Sequence, residues 1–161
     1  KLLPEYQPWL TGVLAGNHGT QDEVLMTCMA WHIDCCQWEE ALPLAEYALH
    51  HKLVLPQQFK RTLATMIVEE VADNALKVNT AVPLQVLVDV EVMTRCEDMP
   101  DQVRAKLYKA IGFAKRAANQ APSALEWLSR ALALDERVGV KKDIERLERE
   151  VKAAEQAAGA S

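Results

Sequence analysis

The stretch from Met99 to Asp135 constrains the fold most, because it reads as two antiparallel helices with a short break at 119–122. Asp101 follows Pro100 and suits the first turn of a helix, where a carboxylate lies near the positive end of the helix dipole. Apolar side chains then recur at helical spacing, which predicts one buried stripe. The stripe consists of Val103, Leu107, Ala110, Ile111, Ala114 and Ala118 in the first helix, and Leu125, Leu128 and Leu132 in the second.

This predicted hairpin fits part of the tetratricopeptide pattern. Tyr108 takes the first aromatic place, and Ile111 and Gly112 take the Leu-Gly place. The later places are filled by Ala124, Leu128 and Ala131, while Glu136 stands where proline is usual. Glycine inside a helix costs roughly 1 kcal/mol relative to alanine, so Gly112 indicates close packing against the partner helix.

A second hairpin of the same kind is predicted 83 residues earlier. The apolar positions of the segment 38–50 have the same spacing as those of the second helix above, and Gln37 matches Gln120. The matching positions are Ala41, Leu42, Ala45, Ala48 and Leu49. We therefore expect a helix over 38–50, preceded by one that Thr20 or Asp22 caps and that ends near Ile33.

The remaining periodicity also predicts helices. They are a short helix within 2–15 opening near Pro8, helices over 61–77 and 84–93, and a charged helix over 141–158. Val86, Val88, Val90 and Val92 alternate as in a strand, but a lone strand among helices would leave its backbone unpaired, which favours a helix. The last helix carries a heptad-like seam of Ile144, Leu147, Val151, Ala154 and Ala158, which either caps the stack or pairs with another chain.

We therefore predict an all-α fold of stacked helical hairpins, tetratricopeptide-like in part, with a C-terminal amphipathic helix. The predicted organisation is a single helical domain over 1–161, with N-terminal helices in 1–96, the hairpin in 99–135 and the last helix in 141–158. The sequence does not begin with Met, so we expect a core fragment of a longer chain. No apolar run approaches the roughly 20 residues of a membrane span, so no membrane partner is expected. Four unevenly spaced cysteines indicate a reducing cytoplasm.

Charge is distributed unevenly along the chain. Residues 1–100 hold 6 Lys and Arg against 14 Asp and Glu, whereas residues 101–161 hold 12 against 9. The segment 102–125 contains five cations and no acid; these are Arg104, Lys106, Lys109, Lys115 and Arg116. Such an island is either a solvated helix face or a surface for phosphate or an acidic partner; if the chain binds DNA, these five are the candidate contacts.

Three groups of side chains are candidates for chemistry. Cys28, His32, Cys35 and Cys36 are possible zinc ligands, but four ligands on one helix cannot surround an ion, so buried apolar filling is favoured. Two carboxylate groups resemble magnesium sites: Glu69, Glu70 and Asp73, and Glu97, Asp98 and Asp101. Asp101 with Glu150 and Lys152 also fits a restriction-nuclease pattern, but that pattern needs adjacent strands and these residues fall on helices. We expect no catalytic residue, no metal and no cofactor.

Three segments resemble a known family. They are MPDQVRAKLYKAIG (99–112), VGVKKDIERLERE (138–150), and Trp9-Leu10 together with QDEVLMT (21–27). These blocks are similar to the small terminase subunit, also labelled the terminase endonuclease subunit, of temperate contractile-tailed phages. The resemblance covers nearly the whole chain. The family's members carry extra residues before the start of this chain and a basic, proline-rich tail after its last helix, where DNA-binding segments are expected.

The resemblance implies a viral protein of the host cytoplasm that recognises the packaging start site on double-stranded DNA. It also implies a ring-like homo-oligomer that passes DNA to a large terminase subunit carrying the ATPase and, in most terminases, the nuclease. Ile144, Leu147 and Val151 are the candidate oligomerisation residues. Two alternatives stay open: a metal-dependent DNA endonuclease subunit, for which no catalytic cluster is evident, and a cellular helical-repeat adaptor that binds peptides.

Overall fold

Eight α-helices and no strand make up the part of the chain that the computed structural model describes, residues 2–55, 60–78 and 81–159. The helices are α1 (Leu3–Gly16), α2 (Glu23–Asp34), α3 (Trp38–His50), α4 (Leu63–Leu76), α5 (Leu84–Thr94), α6 (Asp101–Ala117), α7 (Ala121–Leu134) and α8 (Lys141–Gly159). The all-α prediction is confirmed. The ambiguous valine-rich segment forms the helix α5. This agrees with the expectation that a lone strand would leave its backbone groups unpaired.

The first helix begins earlier than the sequence predicted. We expected it to open near Pro8, but α1 begins at Leu3, and Pro8 lies inside it. Pro4 occupies the first turn, where a missing N–H costs nothing. The added turn is stabilised by packing, because Leu3 and Tyr6 contact the core. Tertiary contacts here outweigh the cost of an internal proline.

The two hairpin turns have the same backbone geometry at the predicted offset of 83 residues. Cys36 and Asn119 adopt the left-handed conformation at φ 56° and 58°. The next residue closes each turn: Gln37 N–H donates to the carbonyl of His32, and Gln120 N–H donates to that of Lys115, each at 2.9 Å. This pair of features defines the Schellman motif that ends many helices. Gln37 and Gln120 then precede the second helix of each hairpin.

Close packing explains Gly112, as the sequence predicted. A Cβ atom at this position would lie 2.4 Å from Cδ2 and 2.7 Å from Cγ of Leu128, whose side chain is fully buried. At the equivalent positions of the first hairpin the large and small side chains are exchanged, with Met29 in place of the glycine and Ala45 in place of the leucine. Both are buried. The large side chain of this contact therefore comes from the first helix in the α2–α3 hairpin and from the second helix in the α6–α7 hairpin.

Packing joins helices that are adjacent in the chain at both ends, whereas in the middle α4 packs more on α6 than on α3 or α5. A large core gathers buried side chains from α1 to α6, and a second, smaller cluster lies between α7 and α8. The first helix packs chiefly on α2, and the last chiefly on α7. The polar connection between α1 and α2 is held to the end of α3, because Tyr47 Oη accepts from Gly19 N–H at 2.9 Å and His51 Nε2 bonds Asn17 Oδ1 at 2.7 Å.

Candidate nucleic-acid and assembly interfaces

The first two cations of the predicted DNA-binding set serve the fold. Arg104 donates to the carbonyls of Thr94 and Glu97, the latter at 2.6 Å, so its guanidinium satisfies carbonyls at the C-terminal end of α5. Lys106 pairs with Asp73 of α4 at 2.7 Å, with both side chains close to half exposed. Both cations therefore have protein partners on neighbouring helices.

The other three cations of the predicted set also have partners. Arg116 reaches two carboxylates of α8, Asp143 at 3.1 Å and Glu150 at 3.5 Å. Lys115 donates to Gln120 Oε1 at 3.0 Å within the hairpin turn. Lys109 donates to the carbonyl of Val138 at 2.8 Å, which brings its ammonium group to the connection between α7 and α8. All five are half-buried. Their partners lie on α4, at the end of α5, in the α6–α7 turn, in the α7–α8 connection and on α8.

A second group of cations was missed by the sequence reasoning. Arg137, Lys141 and Lys142 are exposed, and within the described ranges 2–55, 60–78 and 81–159 their side chains have no hydrogen bond or ion pair. They flank the start of α8, whose free N–H groups carry partial positive charge. The ammonium group of Lys109 lies at the same connection, because it donates to the carbonyl of Val138. We call Lys109, Arg137, Lys141 and Lys142 the connection cations. Their lack of ion pairs depends on tertiary packing, so the sequence alone gives little indication of it.

The first carboxylate cluster is neutralised by protein cations. Arg61 forms ion pairs with both Glu69 and Glu70, and Asp73 is bound by Lys106. Burial disfavours the charged form of Arg61, but hydrogen bonds from its guanidinium to the two glutamates outweigh burial and raise its pKa. These carboxylates therefore already have their counter-charge from arginine and lysine.

The cysteine and histidine candidates divide between the core and the surface. Cys28 and His32 are buried on α2, while Cys35 is exposed and Cys36 is half-buried in the hairpin turn. Burial, together with the negative charge of Asp22, raises the pKa of Cys28, which keeps it a neutral thiol. His32 Nδ1 bonds Gln37 Oε1 at 2.8 Å. Among the residues that the structure describes, no three His, Cys, Asp or Glu side chains are grouped to hold a metal ion.

The seam of α8 divides into two halves. Leu147 is fully buried in the cluster with Ala124, Leu128 and Val140, and Ile144 packs against the same cluster. Further along, Val151 is half-buried and Ala154 and Ala158 are exposed. The first half thus covers α7 within the same chain, and the second half has an open apolar side. The prediction that Ile144, Leu147 and Val151 mediate oligomerisation stays a prediction.

At the other end of the stack, α1 and α2 present an open apolar groove. Two adjoining cavities of about 260 and 310 Å³ share Trp31 as a lining residue. Their other apolar or aromatic lining side chains are Leu2, Leu3, Tyr6 and Val24. Leu2, Val24 and Trp31 are 52, 36 and 38% exposed, high values for large apolar side chains. We call this surface the α1–α2 groove.

Two comparisons identify relatives of this sequence. A family model described as the phage small terminase subunit matches residues 1–102. The "Terminase, endonuclease subunit" of Escherichia phage P2 is 44% identical over 155 residues, which cover 94% of this chain and 63% of that protein. The chain therefore spans less than two thirds of the length of this relative. No solved structure matches. None of the described helices is long and apolar enough to cross a membrane.

Proposed function

Because the chain belongs to the phage small terminase subunit family, we propose that it acts in phage DNA packaging as a subunit that assembles with copies of itself and contacts viral double-stranded DNA. The observation that carries the proposal is the family match over residues 1–102, supported by 44% identity to a phage P2 terminase subunit. The proposed partners are DNA, further copies of the chain and a large terminase subunit that performs the ATP-driven chemistry.

We place the DNA contact of this chain at the connection cations. Within the described residues, none of the four forms an ion pair and only Lys109 has a side-chain hydrogen bond, to a carbonyl, so binding phosphates there requires no ion pair to be broken. The five cations of α6 instead have intramolecular partners that DNA must displace. Lys109 belongs to both sets, since its ammonium already lies at the connection.

Charge reversal tests this placement. We expect the double substitution Lys141→Glu and Lys142→Glu to weaken binding to duplex DNA and to lower the slope of log K against log salt by about 0.9 for each phosphate that the variant no longer binds. Lys52→Glu is the matched control, because Lys52 is also exposed and unpaired within the described residues but lies at the end of α3. Fluorescence anisotropy at four salt concentrations measures both quantities. Unchanged affinity and slope in the double variant would remove the connection cations from the interface.

The sequence-based prediction is tested by a separate variant. Lys109→Glu with Arg116→Glu reverses two of the five α6 cations, and its salt slope reports whether they contact DNA. Because Arg116 also bonds Asp143 and Glu150, circular dichroism must show that helicity is retained. Loss of affinity in this variant alone, with the Lys141 and Lys142 variant unaffected, would move the contact to α6.

A second candidate function is a metal-dependent endonuclease, which the name of the phage P2 relative favours. A nuclease metal would need free carboxylates. In the predicted magnesium cluster, Glu69 and Glu70 both form ion pairs with Arg61. We therefore propose that this chain binds DNA without cutting it. A nicking assay on supercoiled DNA with Mg²⁺ or Mn²⁺ tests this proposal. Metal-dependent nicking that Glu69→Ala with Glu70→Ala abolishes, and Glu39→Ala with Glu40→Ala leaves intact, would establish the endonuclease instead.

A further inference from the structure

The two hairpins differ in what covers their first helix. Besides α7, α6 packs chiefly on α4, and Lys106 of α6 pairs with Asp73 of α4 at 2.7 Å. Ala110 lies one turn after Lys106, and both Ala110 and Leu107 are buried in the main core, to which α4 contributes. The α4 helix therefore covers this side of α6.

The equivalent side of α2 is uncovered. At the offset of 83 residues, Val24 corresponds to Leu107 and Thr27 corresponds to Ala110. Val24 and Thr27 are exposed and line the α1–α2 groove, together with Trp31 one turn further along α2. In the described part of the chain, no helix takes the place on this side of α2 that α4 takes on α6. The groove therefore has the position of a helix-binding surface.

The charge at the groove is opposite to that of its counterpart on α6. Glu23 corresponds to Lys106, so an acid lines the groove where α6 carries the cation that pairs with α4. The carboxylate of Glu23 has no hydrogen bond or ion pair within the described residues. Asp34 also lines the groove, and residues 2–51 contain seven acids and neither Lys nor Arg. Complementary charge favours association, so a helix that binds here should present Lys or Arg.

A second copy of the chain does not offer such a helix. Among the described residues, the exposed large apolar side chains of helices are those of Trp9, Val24, Trp31 and Val92. They lie on α1, α2 and α5, which contain neither Lys nor Arg. Docking one of these helices in the groove of another copy would supply apolar surface but no cation for Glu23. The features of the groove therefore favour a helix of a different protein.

We propose that the α1–α2 groove binds an amphipathic α-helix of a partner protein, seated on α2 as α4 is seated on α6. Apolar side chains of that helix pack against Val24 and Trp31, and a Lys or Arg lies opposite Glu23. An amphipathic helix in an apolar groove is a recurring mode of recognition. In the proposed function, the protein partner other than further copies is the large terminase subunit. We assign the helix to that subunit, and the assignment rests on that function.

Two variants that change the groove test the proposal. Trp31→Glu places a charge in its apolar part, and Glu23→Lys reverses the charge at its rim. Each should weaken binding of the purified large terminase subunit at least about tenfold, because an aromatic contact or an ion pair is lost. Biolayer interferometry with the immobilised chain measures the Kd. Circular dichroism checks folding, and Val24→Asp replaces Trp31→Glu if the latter loses helicity.

Matched controls make the same changes elsewhere. Glu40→Lys reverses an exposed acid in the first turn of α3, as Glu23→Lys does in the first turn of α2, so both changes act on a helix N-terminus. Val92→Glu places a charge on an exposed apolar residue of α5. Both control variants should bind the large subunit like the unsubstituted chain.

A photo-crosslink identifies what occupies the groove. Benzoylphenylalanine in place of Val24, activated in the complex, should attach to a peptide of the large subunit. Mass spectrometry should find Lys or Arg within about one helical turn of the attachment point. Attachment to another copy of the chain, or to a segment without a nearby Lys or Arg, would overturn the proposal.

The binding results separate this proposal from the function it rests on. If the large subunit binds the unsubstituted chain, and binds the Trp31→Glu and Glu23→Lys variants equally well, the groove is not its site while the partnership stands. If these variants lose self-association but still bind the large subunit, a second copy occupies the groove and the proposal is wrong. If the large subunit does not bind the unsubstituted chain, the proposal and that partnership fail together, and DNA binding is judged separately from the salt slopes.

Discussion

Replacing Gly112 by alanine should destabilise the chain, although alanine is the better helix former. Helix propensity alone favours the substitution by about 1 kcal/mol. The added Cβ, however, would lie 2.4 Å from Cδ2 and 2.7 Å from Cγ of Leu128, so either the side chain or the helix must move. Overpacking a well-packed core costs about 1–3 kcal/mol. We therefore expect a net loss of about 1 kcal/mol.

The sign should reverse when Leu128 is shortened. Leu128→Ala removes both atoms that clash, and by itself it should cost about 2–5 kcal/mol because it leaves a cavity in the α7–α8 cluster. In that background Gly112→Ala keeps its helix propensity gain, and only the tight 3.3 Å approach of its Cβ to the backbone N of residue 128 remains, so we expect it to stabilise by up to about 1 kcal/mol. The two substitutions should thus couple by about 2 kcal/mol, well above the scatter of additive pairs.

Urea unfolding followed by circular dichroism measures all four free energies of unfolding. The slopes should agree within error, so that the midpoints report stability. Stabilisation by Gly112→Ala in the unsubstituted chain would refute the reasoning, because it would mean that Leu128 moves aside at no cost. An equal effect of Gly112→Ala in both backgrounds would refute it as well.

Three further outcomes follow from single side chains. Partial desolvation of the exposed Asp34 carboxyl, with the charge of Glu70 adding to it, raises its pKa above the ordinary value of 3.8, so the folded chain holds this proton more tightly and its stability falls as pH rises through the folded pKa. Asp34→Asn should therefore stabilise at pH 7, and urea titrations should show the gain vanish below about pH 3.8. Arg104→Ala removes hydrogen bonds to the end of α5 and should cost about 1–3 kcal/mol with the salt slope of DNA binding unchanged; a reduced slope would make Arg104 a DNA contact. Lys52→Gly relieves a left-handed backbone at φ 54° and should stabilise by about 1 kcal/mol, measured as a higher urea midpoint, whereas a lower midpoint would show that Lys52 makes a contact worth more than this strain.

Local signals predicted most of the helices. The segment 38–50 forms α3 with the predicted bounds, and Asp22 caps α2 through a 2.9 Å bond from Leu25 N–H. The offset of 83 residues predicted that two hairpins share one design, because the spacing of apolar residues and the position of a glutamine recur. The start of α1 was wrong, since the contacts of Leu3 and Tyr6 with the core are not visible in the sequence.

Surface charge was harder to interpret from the sequence. The segment 102–125 contains no acid, so the sequence alone suggests a basic surface there. In the folded chain Lys106 meets Asp73, 33 residues away, and Arg116 meets Asp143, 27 residues away. Among the described residues, Arg137 and Lys142 have no ion pair although acids are close in the sequence. Ion pairing depends on which helices are neighbours, so the exposed charges become known only with the packing.

The native mass of the protein with and without DNA tests the central claim most directly. Mass photometry of the protein alone, and of the protein mixed with a duplex that carries the packaging start site, measures assembly and DNA binding together. A subunit that assembles and binds DNA should give an oligomer of several copies, and the oligomer should gain the mass of the duplex without shortening it. A monomer in both samples, or a duplex cut in the presence of Mg²⁺, would contradict the account.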